Sequence, residues 1–161
     1  MIVRKSPREI EIMRGAGRIV AGALRLAKEL AKKDVTTEWL NDEIEKYILK
    51  QGGIPVFKGY RGFPKSICAS INEEVVHGIP GQRKLREGDI LSVDIGVTYK
   101  KYVADAALTV PIGEITDSAK RLLDVCEKSL GLAIKAARAQ QKLSVISRTV
   151  QEFVEKHDYS V

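Results

Sequence analysis

The apolar positions in the first third of the chain repeat at helical spacing and predict two helices. Residues 6–9, SPRE, have the composition of a capping box with proline at the first helical position. From there to about residue 33, apolar side chains recur every three or four residues, as on the buried face of an amphipathic helix. A second helix is predicted after Thr36 or Thr37, and the glycine pair at 52–53 ends it.

Between residues 54 and 112 the apolar period changes from that of helices to that of strands. Short runs of alternating apolar and polar residues are separated by glycine, proline and asparagine, which is typical of strands joined by turns. The predicted strands are residues 66–71, 74–79, 90–97 and 102–111. Helical spacing returns after Thr116 or Asp117, to about residue 140, and again over residues 144–156.

This order of elements, with helices on either side of a block of antiparallel strands, predicts the α+β class. We expect a single domain over residues 1–161, with a helical pair at 1–53, the strands at 54–112 and a second helical pair at 113–161. The length is that of one ordinary domain with its own hydrophobic core.

The two longest predicted strands each carry an aspartate in an otherwise apolar setting. If their connection is centred between Tyr99 and Lys100, Asp94 and Asp105 lie directly opposite each other on one face of an antiparallel pair. The rest of that face carries mostly small residues: Ser92, Gly96, Val103, Ala107 and Thr109. Mostly apolar residues fill the other face, which is the expected core side: Leu91, Val93, Ile95, Val97, Tyr102, Ala104, Ala106, Leu108 and Val110.

Two interpretations of this aspartate pair stay open. Carboxylates that face each other repel, so a divalent cation held between them would convert an unfavourable arrangement into a stable one. Aspartate is also depleted in strands, and an exposed sheet face usually carries longer polar side chains than this one. The alternative is that both side chains are solvated on the outer face of the sheet, and the pattern alone does not decide.

Charge, hydropathy and cysteine content indicate where the protein is located in the cell and which classes of partner it does not bind. The net charge is +6, but no basic run is interleaved with stacking aromatic residues, which argues against a nucleic-acid-binding protein. No apolar stretch is long enough for a signal peptide or a membrane span. Cys68 and Cys126 are far apart and form no CxxC motif, as in proteins of reducing compartments. We therefore expect a cytoplasmic protein without a membrane partner.

Three segments resemble those of type I methionine aminopeptidases: FKGYRGFPKSICASINEEVVHGIP, SVDIG and VADAALTV. The resemblance extends from the N-terminal helix to the end of the chain. It implies a pita-bread fold, of which this chain would be the N-terminal half, an antiparallel sheet covered by helices. It also implies removal of the initiator methionine from nascent polypeptides by metal-assisted hydrolysis.

The resemblance assigns roles to individual residues. Asp94 and Asp105 match metal ligands, with Asp94 on one ion and Asp105 bridging both of two divalent ions, which would be Co, Mn, Fe or Zn. His77 matches a catalytic histidine that contacts the scissile peptide and helps to stabilise the tetrahedral intermediate. Four residues match the substrate pocket for the methionine side chain, to which His77 also contributes: Phe57, Tyr60, Phe63 and Cys68.

The family's remaining metal ligands, a histidine and two glutamates, have no match in this sequence. We therefore expect the N-terminal half of a catalytic domain, either a fragment or one piece of a split enzyme, that is inactive by itself. Its expected partners are nascent peptides that begin with Met and a complementary C-terminal half, or a second copy through self-association. Contact with the ribosome is left open. Two alternatives remain: a non-catalytic pita-bread interaction module, and half of a related proline-directed metallopeptidase.

Overall fold

The structure, a computed structural model, describes residues 3–161. These residues form two compact units, of which the first extends to Ile115 and the second begins at Thr116. The expectation of a single domain with internal boundaries at 53 and 112 stays a prediction. None of the helices in residues 3–161 combines the length and the apolar character needed to traverse a lipid bilayer.

The first unit begins with two helices, α1 (Pro7–Leu30) and α2 (Thr37–Lys50). The predicted capping box is present, because the Ser6 hydroxyl accepts a hydrogen bond from the backbone N–H of Glu9 (3.3 Å) and the Glu9 carboxylate accepts one from the backbone N–H of Ser6 (2.7 Å). Thr36 caps α2 in the same way. The predicted helix starts are confirmed, whereas α1 ends about three residues earlier than residue 33.

The sheet of the first unit contains four antiparallel strands: β1 (Ile54–Pro55), β2 (Cys68–Ile71), β3 (Ile90–Tyr99) and β4 (Tyr102–Pro111). The long strand β3 pairs with β4 along one edge. Along its other edge it pairs with β2 near its start and with β1 near its end. A 3₁₀ turn at Tyr60–Gly62 lies in the segment between β1 and β2.

The predicted strand at residues 74–79 is wrong, because this segment is a loop between β2 and β3. The backbone of His77 has a φ of 59°, which lies outside the extended region. The loop nevertheless contacts β2 at Gly78. The carbonyl of Gly78 accepts a hydrogen bond from the N–H of Ala69 (2.9 Å), and its N–H donates to the hydroxyl of Ser70 (3.0 Å). These hydrogen bonds, together with those between Glu74 and Ile71 of β2, do not extend into a ladder.

The β3–β4 turn corrects the predicted register by two residues. Lys100 and Lys101 form a two-residue turn with φ values of 48° and 71°, as in a type I′ hairpin, so that Tyr99 faces Tyr102. Asp94 therefore faces Ala107, and Asp105 faces Gly96, instead of each other. A shift by two residues preserves the side-chain alternation, so both aspartates remain on one face as diagonal neighbours.

The core of the first unit lies between the helices and the face of the sheet that is opposite the aspartates. The residues of β3 predicted for that side are fully buried: Leu91, Val93, Ile95 and Val97. They join one apolar cluster with α1 and α2, which contribute Ile19, Val20, Ala23, Leu24, Ala27, Leu40, Ile44 and Ile48. On β4 the prediction holds less well, since Ala104 and Leu108 are half-buried and Ala106 is exposed.

The second unit consists of α3 (Asp117–Ala136) and α4 (Ser144–Glu155). Thr116 caps α3 by accepting a hydrogen bond from the N–H of Ala119 (3.2 Å), but the helix ends four residues before the predicted residue 140. Its buried residues are Val125, Ser129 and Ala133. The predicted apolar stripe is mostly exposed, at Leu122, Cys126, Leu130 and Ile134.

The hydrogen bond from the Tyr102 hydroxyl to Glu9 (2.6 Å) links β4 to the start of α1. Its contribution to the stability of the fold depends on pH. This bond, followed by those from Ser6, lowers the pKa of Glu9 to about 2. Because that value lies below the pKa of an unfolded glutamate, the contribution to stability is complete above about pH 4.3 and is lost as the pH falls towards 2. We expect Tyr102→Phe to lower the melting temperature near neutral pH and to match the wild type in strong acid.

Tyr99→Phe is the matched control, because Tyr99 lies in the same hairpin and its hydroxyl has no hydrogen-bond partner among the described residues. Its melting temperature should follow that of the wild type over the whole pH range. Indistinguishable pH profiles for the two variants would contradict the role assigned to the bond between Tyr102 and Glu9.

Candidate metal centre

Asp94 is an acidic residue of the sheet whose surroundings are unfavourable for its charge. It lies in β3 on the face opposite the core, and its Oδ1 atom is buried without a hydrogen-bond partner among the described residues. A buried carboxylate oxygen without a partner is unfavourable, because it has lost its water and gained nothing in exchange. Such an atom marks a position where a cation or a donor group would be stabilised.

The pKa of Asp94 is raised from its ordinary value, first by burial and then by the negative charge of Asp105. The nearby His77 and the backbone N–H of Ile95 act in the opposite direction. Asp105 itself is exposed on β4. The two carboxylates thus form an interacting pair in which one member is sheltered and the other is open to solvent.

Cys68 forms one side of this pair, because β2 places it directly beside Asp94 in the ladder. Its side chain is buried, and burial followed by the charges of Asp94 and Asp105 raises the pKa of the thiol to about 11. Metals bind the thiolate form of cysteine. At neutral pH Cys68 is a protonated, uncharged thiol, so it lines the site without acting as a metal ligand.

His77 reaches the centre from the loop that follows β2. The close approach of this loop to β2 requires glycine at position 78, because a Cβ atom there would lie 2.4 Å from the carbonyl oxygen of Ala69. The imidazole is exposed and close enough to Asp94 to influence its protonation. The loop therefore holds a polar ring at the open side of the carboxylate pair, with the exposed Val75 and Val76 preceding it.

Phe57 packs onto β3 at Gly96, where the absence of a side chain leaves room for its ring. A Cβ atom on Gly96 would lie 2.3 Å from Cγ1 of Val56 and 2.8 Å from Cε1 of Phe57. Gly96 is the strand partner of Asp105, so the Phe57 ring lies next to the aspartate pair. The sequence prediction did not assign a role to Gly96, although a glycine inside a strand signals a close approach.

Tyr60 and Phe63 lie in the same loop as Phe57. The loop closes on itself, because the N–H of Tyr60 donates to the carbonyl of Phe57 (2.9 Å) and the N–H of Gly59 donates to that of Phe63 (2.8 Å). Phe63 is half-buried, whereas 62% of Tyr60 is exposed. The structure thus brings together Phe57, Cys68, His77, Asp94 and Asp105, and it places Tyr60 and Phe63 on the rim formed by this loop.

The sequence matches the family described as metallopeptidase family M24 over residues 11–161. The chain belongs to this family. It is 49% identical to methionine aminopeptidase 1 of Bacillus subtilis and 48% identical to the methionine aminopeptidase of Clostridium acetobutylicum, covering 100% of this chain in both cases. It spans 65% of the length of each of these relatives.

Comparison with solved structures agrees with the family match. The M24 chain superposes on the methionine aminopeptidase of Rickettsia prowazekii with a TM-score of 0.97 at 36% identity, covering 100% of this chain and 65% of the other. Prolidase from Pyrococcus furiosus, with a TM-score of 0.83 at 18% identity, shares the fold alone. The fold is that of the pita-bread enzymes, and the predicted α+β arrangement of an antiparallel sheet with covering helices is confirmed.

Membership of a metallopeptidase family implies divalent metal ions as cofactors, and the residues present fit part of such a site. The unpartnered Oδ1 of Asp94, beside a second carboxylate, supplies the oxygen ligands that hard divalent cations bind. Within the described residues no group of three or more His, Cys, Asp and Glu side chains could hold a metal ion. Asp94 and Asp105 thus fit part of a metal site, and their role as ligands stays a prediction.

The raised pKa of Asp94 makes a prediction for the metal-free chain. The folded state holds this proton more tightly than the unfolded state, so ionised Asp94 lowers stability at neutral pH, and the penalty is relieved as the pH falls through the raised value. We expect Asp94→Asn to raise the melting temperature at neutral pH in the presence of a chelator. The difference from the wild type should disappear in acid.

Asp89→Asn is the matched control, because Asp89 is buried but satisfied. Its two carboxylate oxygens accept hydrogen bonds from the side-chain amide of Asn72 (2.8 Å) and the N–H of Arg86 (2.8 Å). Replacing one oxygen by an NH₂ group should remove one of these bonds and destabilise the chain by about 1 kcal/mol. If Asp94→Asn lowers the melting temperature as Asp89→Asn does, the unfavourable pairing of Asp94 with Asp105 is refuted.

Proposed function

We propose that this chain carries the N-terminal part of the catalytic site of a methionine aminopeptidase, which removes the initiator methionine from nascent polypeptides. The observation that carries the proposal is the unpartnered, buried oxygen of Asp94 beside Asp105, at the open side of which His77 lies. The identity with relatives named methionine aminopeptidases, over the full length of this chain, supports the choice of substrate.

Asp94 and Asp105 would hold two divalent ions, which we expect to be Co, Mn, Fe or Zn. Such ions activate water as a nucleophile and polarise the scissile carbonyl when they are bound. Two divalent ions carry a charge of +4, of which the two aspartates neutralise half. We propose that a complementary polypeptide supplies further ligands, a histidine and two glutamates, because the described residues provide no third ligand.

His77 would act on the substrate and not on the metal. Its exposed ring stands on a loop at the open side of the centre, where the scissile peptide would lie. From this position the imidazole would donate a hydrogen bond to the peptide and stabilise the charge that develops on it. The left-handed backbone of His77, together with the contact of Gly78 with β2, fixes the direction from which the ring approaches.

The methionine side chain would occupy the space beside the carboxylates. Phe57 and Cys68 border that space directly, and Tyr60 and Phe63 stand on its rim. A thioether packs favourably against aromatic edges. The thiol of Cys68, kept protonated by its raised pKa, adds a neutral, polarisable surface instead of a charge. Nascent chains as substrates would place the activity in the cytoplasm, with contact to the ribosome as one route of access.

Activity of the isolated chain tests the proposed division of the site. We expect the 161-residue chain to release no measurable methionine from Met-Ala in excess Mn²⁺ or Co²⁺, because too few ligands are present to hold both ions. Co-expression with the remaining segment of the Bacillus subtilis relative should restore release, as measured by quantifying free methionine. Robust activity of the chain alone would contradict the need for a complementary half, and no activity in an assembled complex that binds metal would contradict the proposed reaction.

His77→Ala tests the role of the imidazole in the restored enzyme. We expect turnover to fall by roughly 10²–10⁴-fold, the range for one acid–base or oxyanion group. Metal content, measured by elemental analysis, should stay that of the wild type, since His77 is not a proposed ligand. The matched variant is Asp94→Asn, which should lose both activity and metal; loss of metal in His77→Ala would make His77 a ligand instead.

A further inference from the structure

A cleft of about 680 Å³ lies in the first unit, on the helix-covered side of the sheet. Its walls come from α1, the C-terminal end of α2 and the β3–β4 turn, and they include Arg8, Arg18, Tyr47, Tyr99 and Lys100. The volume falls within the range of sites that bind small molecules. Because the aspartate pair lies on the opposite face of the sheet, the cleft is separate from the candidate metal centre.

The charged groups of this cleft are mainly unpaired cations. Arg8 and Arg18 are exposed and form no ion pair within residues 3–161. The ammonium of Lys100 lies over the ring of Tyr99, 5.2 Å from its centroid. The carboxylate in the described lining, that of Glu11, is already engaged by Arg14 (3.1 Å). An anion entering the cleft would therefore meet three cations without an opposing free carboxylate.

The neutral polar groups of the cleft add hydrogen-bond donors. The hydroxyls of Tyr47 and Tyr99 and the side-chain amide of Gln51 have no hydrogen-bond partner among the described residues. Tyr102, in contrast, lies outside the cleft and donates its hydroxyl hydrogen to Glu9. The cleft thus collects donors that the protein leaves unused, which suits the oxygens of an anionic ligand.

The spacing of the arginines specifies an elongated ligand. Arg8 and Arg18 are ten residues apart on α1, which corresponds to about 15 Å along the helix axis. A ligand with anionic groups spread along its length can therefore pair with both guanidinium groups without drawing the two side chains together. Apart from Glu11, the part of the wall that α1 contributes beside the arginines is apolar, with Ile12, Gly15 and Ile19, and the Tyr99 ring closes directly onto Gly15. The ligand therefore needs separated anionic and apolar parts.

We propose that this cleft binds an elongated organic polyphosphate of the nucleoside triphosphate class. Arginine and lysine would contact the phosphates, whose oxygens also accept from the tyrosine hydroxyls. The planar base would lie on the apolar wall beside the arginines. The proposal is independent of the aminopeptidase function, because no residue of the cleft belongs to the metal centre or to the methionine pocket.

Calorimetric titration of the full 161-residue chain with ATP tests the proposal, in low salt and with a chelator present so that no metal bridges nucleotide and aspartates. We expect saturable binding, and we expect Arg8→Gln/Arg18→Gln to weaken it by about tenfold. The matched control is Arg25→Gln/Lys28→Gln, which removes the same charge from α1 outside the cleft and should leave the affinity unchanged. Circular dichroism verifies that both variants are folded.

Two further probes separate the sources of binding energy. Inorganic tripolyphosphate and adenosine should each bind more weakly than ATP, because each fills only one part of the cleft. An equal loss of affinity in both double variants would overturn the proposal in favour of general charge attraction. Tripolyphosphate that binds as tightly as ATP would overturn the assignment to an organic ligand. A single-stranded RNA oligomer that depends on Arg8 and Arg18 while ATP does not bind would overturn the assignment to a small molecule.

Discussion

The antiparallel pairing of β3 with β4 determines where both the core and the carboxylates of this chain lie. Strand alternation sends Leu91, Val93, Ile95 and Val97 to the helices and leaves Asp94 and Asp105 together on the other face. The apolar side is buried by α1 and α2, and this burial holds the strands in place. A slip of the register by one residue would expose the core residues to solvent. The strands therefore keep Asp94 and Asp105 close together on the other face, although their mutual repulsion is unfavourable.

The unfavourable element is concentrated in Asp94. Burial raises its pKa, Asp105 adds repulsion, and one of its oxygens has no partner among the described residues. Asp105 is exposed, as the solvated alternative left open by the sequence requires, whereas the buried Oδ1 of Asp94 does not fit that alternative. Perturbed groups of this kind are frequent at functional sites, because the geometry that suits a bound cation is poor in its absence. The electrostatics of Asp94 agree with the role that the resemblance implied for it, and the assignment of both aspartates as metal ligands stays a prediction.

The parts of the fold that the sequence predicted are those with local signals. Ser6, Thr36 and Thr116 are helix caps whose hydrogen bonds reach only three residues along the chain. The turn at Lys100–Lys101 has no such signal, since neither glycine nor asparagine marks its two positive φ angles, and the register was misplaced by two residues. The apolar alternation of residues 74–79 is that of a strand, but its hydrogen bonds to β2 come from Glu74 and Gly78 and do not form a ladder, so the segment stays a loop.

For the site, residue types and their common face could be predicted, whereas the depth of each side chain depends on distant segments. Phe57 lies against Gly96, and Cys68 stands beside Asp94, so β3 is covered on this side. Val103, Asp105 and Ala107 on β4 are exposed. The sheet face around the two aspartates is therefore covered over β3 and open over β4. If the two aspartates hold a cation as proposed, a group that completes its coordination would approach across β4, on the side where Asp105 is exposed.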